Sequence, residues 1–147
     1  MNRIVLLTHS GLGRGFLAVL EHIYGAVPDA VELREIGADS NLEWEKAQLR
    51  QSIRQLAPGE ALLILTDLFG ATPTNIVPVE MLGAHARMVT GVNLPMLLRA
   101  LSRRDMPVEP WLDAVLAGAH EGIRAFPHKC GDFPSSQDFP PLSCCAY

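Results

Sequence analysis

The sequence is short of cysteine, of basic charge and of long apolar runs, and each shortage removes a class of function. Its three cysteines, Cys130, Cys144 and Cys145, all lie close to the C-terminus, so no disulfide framework threads the body of the chain. Twelve Lys and Arg stand against 16 Asp and Glu, a formal net charge of -4, which gives no general pull toward nucleic acid or an anionic membrane. Near the N-terminus the apolar run Ile4 to Leu7 is too short for a signal segment or a membrane span, and no other segment reaches a span's length without charges. The expectation is a cytoplasmic protein with no nucleic-acid partner and no direct membrane insertion. What is present is a chain of 147 residues, 48% apolar and only 19% charged, with a mean hydropathy of +0.17. That is enough to fold one rather apolar globule.

Four short apolar segments recur along it: Ile4 to Leu7, Ala30 to Leu33, Ala61 to Leu65 and Ala86 to Val89. The first and third are continuous, as in strands buried on both faces, whereas the second and fourth read as flanking strands. Helical patterns lie between and after them. Leu12 to Tyr24 carries Phe16, Leu17, Leu20 and Ile23 on one stripe, and Asn41 to Leu56 carries Leu42, Ala47, Leu49, Ile53 and Leu56. Thr74 to Leu82, Pro95 to Ser102 and Glu109 to Arg124 complete the set, with Thr72 as the expected capping residue ahead of Pro73. The alternation predicts an α/β three-layer sandwich, a mainly parallel sheet with helices on both faces and strand order 2-1-3-4. The domain is expected to span 1–126. Beyond it, 127–147 is rich in proline and lacks periodicity, the pattern of an extended or disordered tail.

In an open parallel sheet, ligands gather at the carboxyl ends of the strands where the strand order reverses. For order 2-1-3-4 that point lies between the first and third strands. The first is followed by Thr8-His9-Ser10-Gly11, the third by Thr66-Asp67-Leu68-Phe69-Gly70-Ala71-Thr72. A carboxylate accepting one imidazole N–H fixes the tautomer and leaves the other ring nitrogen with its lone pair outward. His9 beside Asp67 thus reads as a phosphorylatable histidine. Ser10, Gly11, Gly70, Ala71 and Thr72 are the candidate phosphate contacts, because glycine-flanked turns and helix starts offer backbone N–H groups to an anion. Each residue also has a plainer role: His9 as a turn residue, Asp67 as a turn cap, Thr72 as a helix cap. Gly11-Leu12-Gly13-Arg14-Gly15 departs from the dinucleotide fingerprint, whose third glycine falls one position later, and no acid closes the second strand in the place it requires. A phosphoaspartate receiver would need acidic metal ligands after the first strand, and Thr8-His9-Ser10 has none. His22, His85, His120 and His128 have no zinc-like spacing; His22 and His120 fall in helices as surface or boundary residues. No metal site is expected.

Three stretches, IVLLTHSGLG, LLILTDLFGATPTN and VTGVNLPMLLRAL, resemble in order and spacing the mannose-type IIA domain of the bacterial sugar phosphotransferase system. The likeness runs from about Arg3 to about Arg124. It implies a cytoplasmic phosphocarrier without cofactor, in which His9 accepts a phosphoryl group from the small carrier protein HPr and passes it to a IIB component, with Asp67 orienting His9. It also implies a homodimer, in which an extra antiparallel edge strand can be exchanged between subunits. Ser10 and Ala71 stand where the family commonly has glycine, and both are small. Two other functions remain open on the sequence: a phosphocarrier read by a regulatory protein, and a non-catalytic α/β module that binds an anion or small ligand.

Overall fold

The computed structural model describes residues 1–125; the expected tail, its cysteines and His128 lie outside the described residues. Strands β1 (Arg3–His9), β2 (Val31–Ile36), β3 (Leu62–Thr66) and β4 (Ala86–Thr90) form one sheet. Every neighbouring pair is parallel and the order is β2-β1-β3-β4, as the alternation of elements predicts. Ile4 to Leu7 and Leu62 to Leu65 are each at most 1% exposed, so the two continuous apolar runs are the central strands, covered on both faces.

Because side chains alternate across a strand, β1 feeds two cores. Ile4 and Leu6 pack with Leu20 of α1 (Leu12–Tyr24), Leu97 of α4 (Leu94–Ser102) and Trp111 of α5 (Val108–Glu121). Val5 and Leu7 pack on the other face with Leu49 of α2 (Leu42–Arg54) and with Ile76 and Val77. The result is the expected three layers. Trp111 is fully enclosed, and its indole N–H donates to the Ala100 carbonyl at 2.9 Å.

Three local expectations change. In α2, Leu49 is buried and Ile53 is half-buried, as is Leu56 just beyond the helix, but Leu42 and Ala47 are exposed. Ala47 sits two residues before Leu49, roughly 200° around a helix, and so faces away from the sheet. The helix expected over 74–82 is replaced by the short α3 (Thr72–Asn75) and a 3-10 turn, Val79–Met81. Pro78 lies between them; it has no N–H to continue a helical ladder and its ring crowds the preceding turn. Thr72 is the first residue of α3 rather than its cap: Ala71 holds the cap position without any side-chain hydrogen bond, and the Thr74 hydroxyl donates to the Ala71 carbonyl at 2.8 Å.

Among the described residues the sheet has no antiparallel strand; the sole antiparallel pairing is one bridge between Gly83 and Ala86. The chain passes from α4 to α5 through the turn at 103–107, and β4 is left as an edge.

Candidate functional site

β1 and β3 are neighbours at the centre of the sheet and the segments that follow them pack on opposite faces, the arrangement at which open α/β sheets hold ligands. His9 is the last residue of β1, not part of the turn after it, and is in register with Ile36. Asp67 follows the last residue of β3. The two expected residues meet there. His9 Nδ1 and Asp67 Oδ2 are 2.8 Å apart, and the same oxygen accepts the His9 backbone N–H at 2.8 Å. Asp67 Oδ1 accepts the Leu68 N–H, also at 2.8 Å. The carboxylate therefore holds both the ring and the backbone of His9.

These contacts decide the state of Asp67. Burial alone would raise its carboxyl, but hydrogen bonds from the His9 amide, the His9 ring and the Leu68 amide, together with attraction to the ring, hold it below its ordinary value of 3.8. An ionised carboxylate only accepts, so Nδ1 carries the shared proton, and in the neutral ring it is Nε2 that holds the lone pair. The His9 side chain is 49% exposed while Asp67 is only 10% exposed. The imidazole is thus half-exposed and its carboxylate partner is sheltered.

The candidate phosphate contacts divide between two helix starts. At α1, Gly11 occupies the cap position with no side chain to bond the first turn. Glu35, next to last in β2, fills that role: its Oε1 accepts from the Gly11 amide at 3.0 Å and from the Arg14 amide at 2.9 Å. Its other oxygen lies 2.9 Å from Arg14 Nε. The Ser10 amide donates to the Ile36 carbonyl at 3.1 Å. The turn at 70–72 is different. Gly70 has φ +80°, a left-handed conformation that glycine adopts without penalty, and no side chain caps α3. Thr72 is exposed.

Sequence reasoning missed two parts of this surroundings. One is Glu35, which corrects the expectation that no acid closes the second strand: the strand runs on to Ile36, beyond the apolar run that ends at Leu33, and so takes in this acid opposite a cap position occupied by glycine. The other is an apolar rim. Leu12, Leu68 and Phe69 are 45%, 61% and 76% exposed, and a shallow groove lined by Leu12, Phe16, Val19 and Leu94 runs beside the site. His22 and His120 are helical and exposed, as expected.

A parallel sheet in this order, with a histidine and an aspartate joined across its two central strand ends, defines an α/β protein with a strand-end His–Asp site. A model of the EIIA-man family, described as the PTS system fructose IIA component, matches residues 3–117, and the chain belongs to that family of sugar phosphotransferase system components. It is 27% identical over 140 residues to the sorbose-specific EIIA component of Lacticaseibacillus casei, covering 92% of this chain and 99% of that protein. The phosphotransferase system component EIIA from Streptococcus agalactiae is 30% identical, with a TM-score of 0.75 over 86% of this chain and 98% of that one. A mannose/sorbose-specific IIA subunit from Enterococcus faecalis, 22% identical, shares the fold with a TM-score of 0.72 over 87% and 96% of the two chains. EIIA components are phosphotransferase parts of the system, and membership implies interaction with phosphocarrier and IIB components. Among the described residues no helix is long and apolar enough to cross a membrane.

Proposed function

We propose that this chain is a cytoplasmic phosphocarrier that takes a phosphoryl group from the phosphohistidine of an HPr-like protein onto His9 and passes it to a IIB component. The observation that carries this reading is the 2.8 Å pairing of His9 Nδ1 with the sheltered Asp67 carboxylate. It leaves Nε2 as the only free nucleophilic nitrogen of a half-exposed ring. The Nε2 lone pair attacks phosphorus as the donor's N–P bond breaks; the electron pair returns to the donor imidazole, and a new N–P bond forms on His9. The reverse sequence hands the group onward. Breaking and making the same kind of bond is nearly isoenergetic, so the protein's task is positioning and charge stabilisation.

Phosphate contacts fall to Gly70, Ala71 and Thr72, where no side chain competes for the start of α3. Ser10 and Gly11 contribute close backbone beside the ring, although their amides are engaged by Ile36 and Glu35. The exposed apolar rim of Leu12, Leu68 and Phe69 suits a protein donor, since a diffusible phosphate ester would be held by polar groups in an enclosed cleft.

The test is transfer from phosphorylated HPr. Wild type acquires an acid-labile, base-stable phosphoryl group, and His9→Ala stays unlabelled while its circular dichroism matches wild type. Labelling of His9→Ala would remove His9 from the reaction; an unlabelled wild type would leave an anion-binding module as the better description.

A further inference from the structure

Glu35 is an acid aimed at a helix start where a phosphate-binding protein would be expected to leave room for an anion. Its side chain is 8% exposed. One oxygen accepts two amides of the first turn of α1, from Gly11 and Arg14, and the other meets the Arg14 guanidinium, which is itself 78% exposed. Glu35 pairs in register with Thr8, immediately before His9, and Gly11 is two residues after it. The carboxylate therefore sits behind the turn that follows His9. It lies in the position from which the positive end of α1 would otherwise act on a phosphoryl group.

We infer that Glu35 is a positioning residue that closes the α1 start to the phosphoryl group and places a fixed negative charge behind it, keeping phospho-His9 a good donor. The inference rests on the phosphocarrier reading above. The start of the thirteen-residue α1 lies two residues beyond His9 and would stabilise a bound phosphoryl group if it were open. A carrier held too firmly receives the group but does not release it. With Glu35 in place, that start is neutralised and only the 70–72 turn remains to meet the new charge. Arg14 offsets part of the Glu35 charge from the solvent side, where screening is strong. The carboxylate itself is sheltered, and its other oxygen is held by the two amides of the first turn.

The experiment measures the phosphorylated fraction of His9 at equilibrium with fixed ratios of phosphorylated to free HPr, by intact mass, alongside KM for phosphorylated HPr. Glu35→Gln keeps an oxygen acceptor for the first turn but removes the charge. It is expected to shift the equilibrium toward phospho-His9 by about threefold to tenfold, the size of effect a single charge near a helix terminus produces, with KM unchanged. Glu35→Asp keeps the charge and is expected to stay within about twofold of wild type. A purely structural role would predict no shift in equilibrium for any variant whose thermal unfolding shows a folded protein. An unshifted Glu35→Gln, or a Glu35→Asp that moves as far as Glu35→Gln, overturns the inference and leaves the phosphocarrier reading standing. A wild type that takes no label overturns both.

Discussion

Asp67 does three things through two oxygens, and removing it separates them. Asp67→Ala frees the His9 ring to rotate and to exchange tautomers, and it leaves the His9 and Leu68 amides without their acceptor. Transfer from phosphorylated HPr is expected to slow by about 10-fold to 100-fold, as for other residues that orient a reactive imidazole, while His9 can still be labelled at long times. An unchanged rate would remove Asp67 from the mechanism. Its lowered carboxyl also has a stability signature. A group whose folded value is depressed contributes stability in full above its ordinary value, here 3.8, and loses it as pH falls through the lower folded value. Urea unfolding of wild type and Asp67→Asn should therefore differ at about pH 5 and converge as pH falls below 3.8. A gap that persists unchanged at the acid end would show that the carboxylate's charge plays no part. Both residues of this pair were legible in the sequence because strand-end placement follows from topology alone. Glu35 was not, because its role depends on a cap that the sequence shows only as a missing side chain at Gly11.

The elements follow the same division between local and tertiary information. The central strands could be read directly, since residues buried on both faces leave an uninterrupted apolar run. The break in the helix expected over 74–82 could not: Ile76, Val77, Val79 and Met81 fit helical spacing, yet the N–H that Pro78 lacks ends the ladder. The α4–α5 pair was foreseen as two helices, but its closeness was not. At Gly118 an added Cβ would come within 2.8 Å of Arg99 Cβ and 3.0 Å of its Cγ, so no side chain fits between these helices without moving one of them. Gly118→Ala gains up to about 1 kcal/mol of helix propensity and meets an overpacking cost of about 1–3 kcal/mol. A net loss of up to about 2 kcal/mol in urea unfolding is expected. Phosphoryl transfer should be unaffected, since α4 and α5 cover the sheet and contribute nothing to the His9–Asp67 pair. A variant as stable as wild type would show that the crossing has slack.

At the level of the whole molecule, the two edges of the sheet are unlike. On β2, Arg34 pairs with Glu32 and Glu45, and Arg3 approaches Glu32; charged side chains on an edge strand discourage further pairing. β4 is flanked differently. Phe69 and Val79 are 76% and 65% exposed, and with Val77, Met88 and the charged Lys46 and Glu80 they line a cavity of about 350 Å³ beside this strand. Open backbone next to exposed apolar side chains is the surface that a second copy of the chain would cover, and we propose that the carrier is a homodimer joined along the β4 side. Sedimentation should then give twice the chain mass of 16.0 kDa. Burying a side chain of valine size contributes about 1.5–3 kcal/mol. Val79→Asp would place a charge there without a partner, so the variant is expected to sediment as a monomer at concentrations where wild type is dimeric. Val79 makes no contact with the His9–Asp67 pair, so the monomer should still accept phosphoryl from HPr. Monomeric wild type at high concentration would overturn the dimer, whereas a dimer indifferent to Val79→Asp would move its interface away from β4.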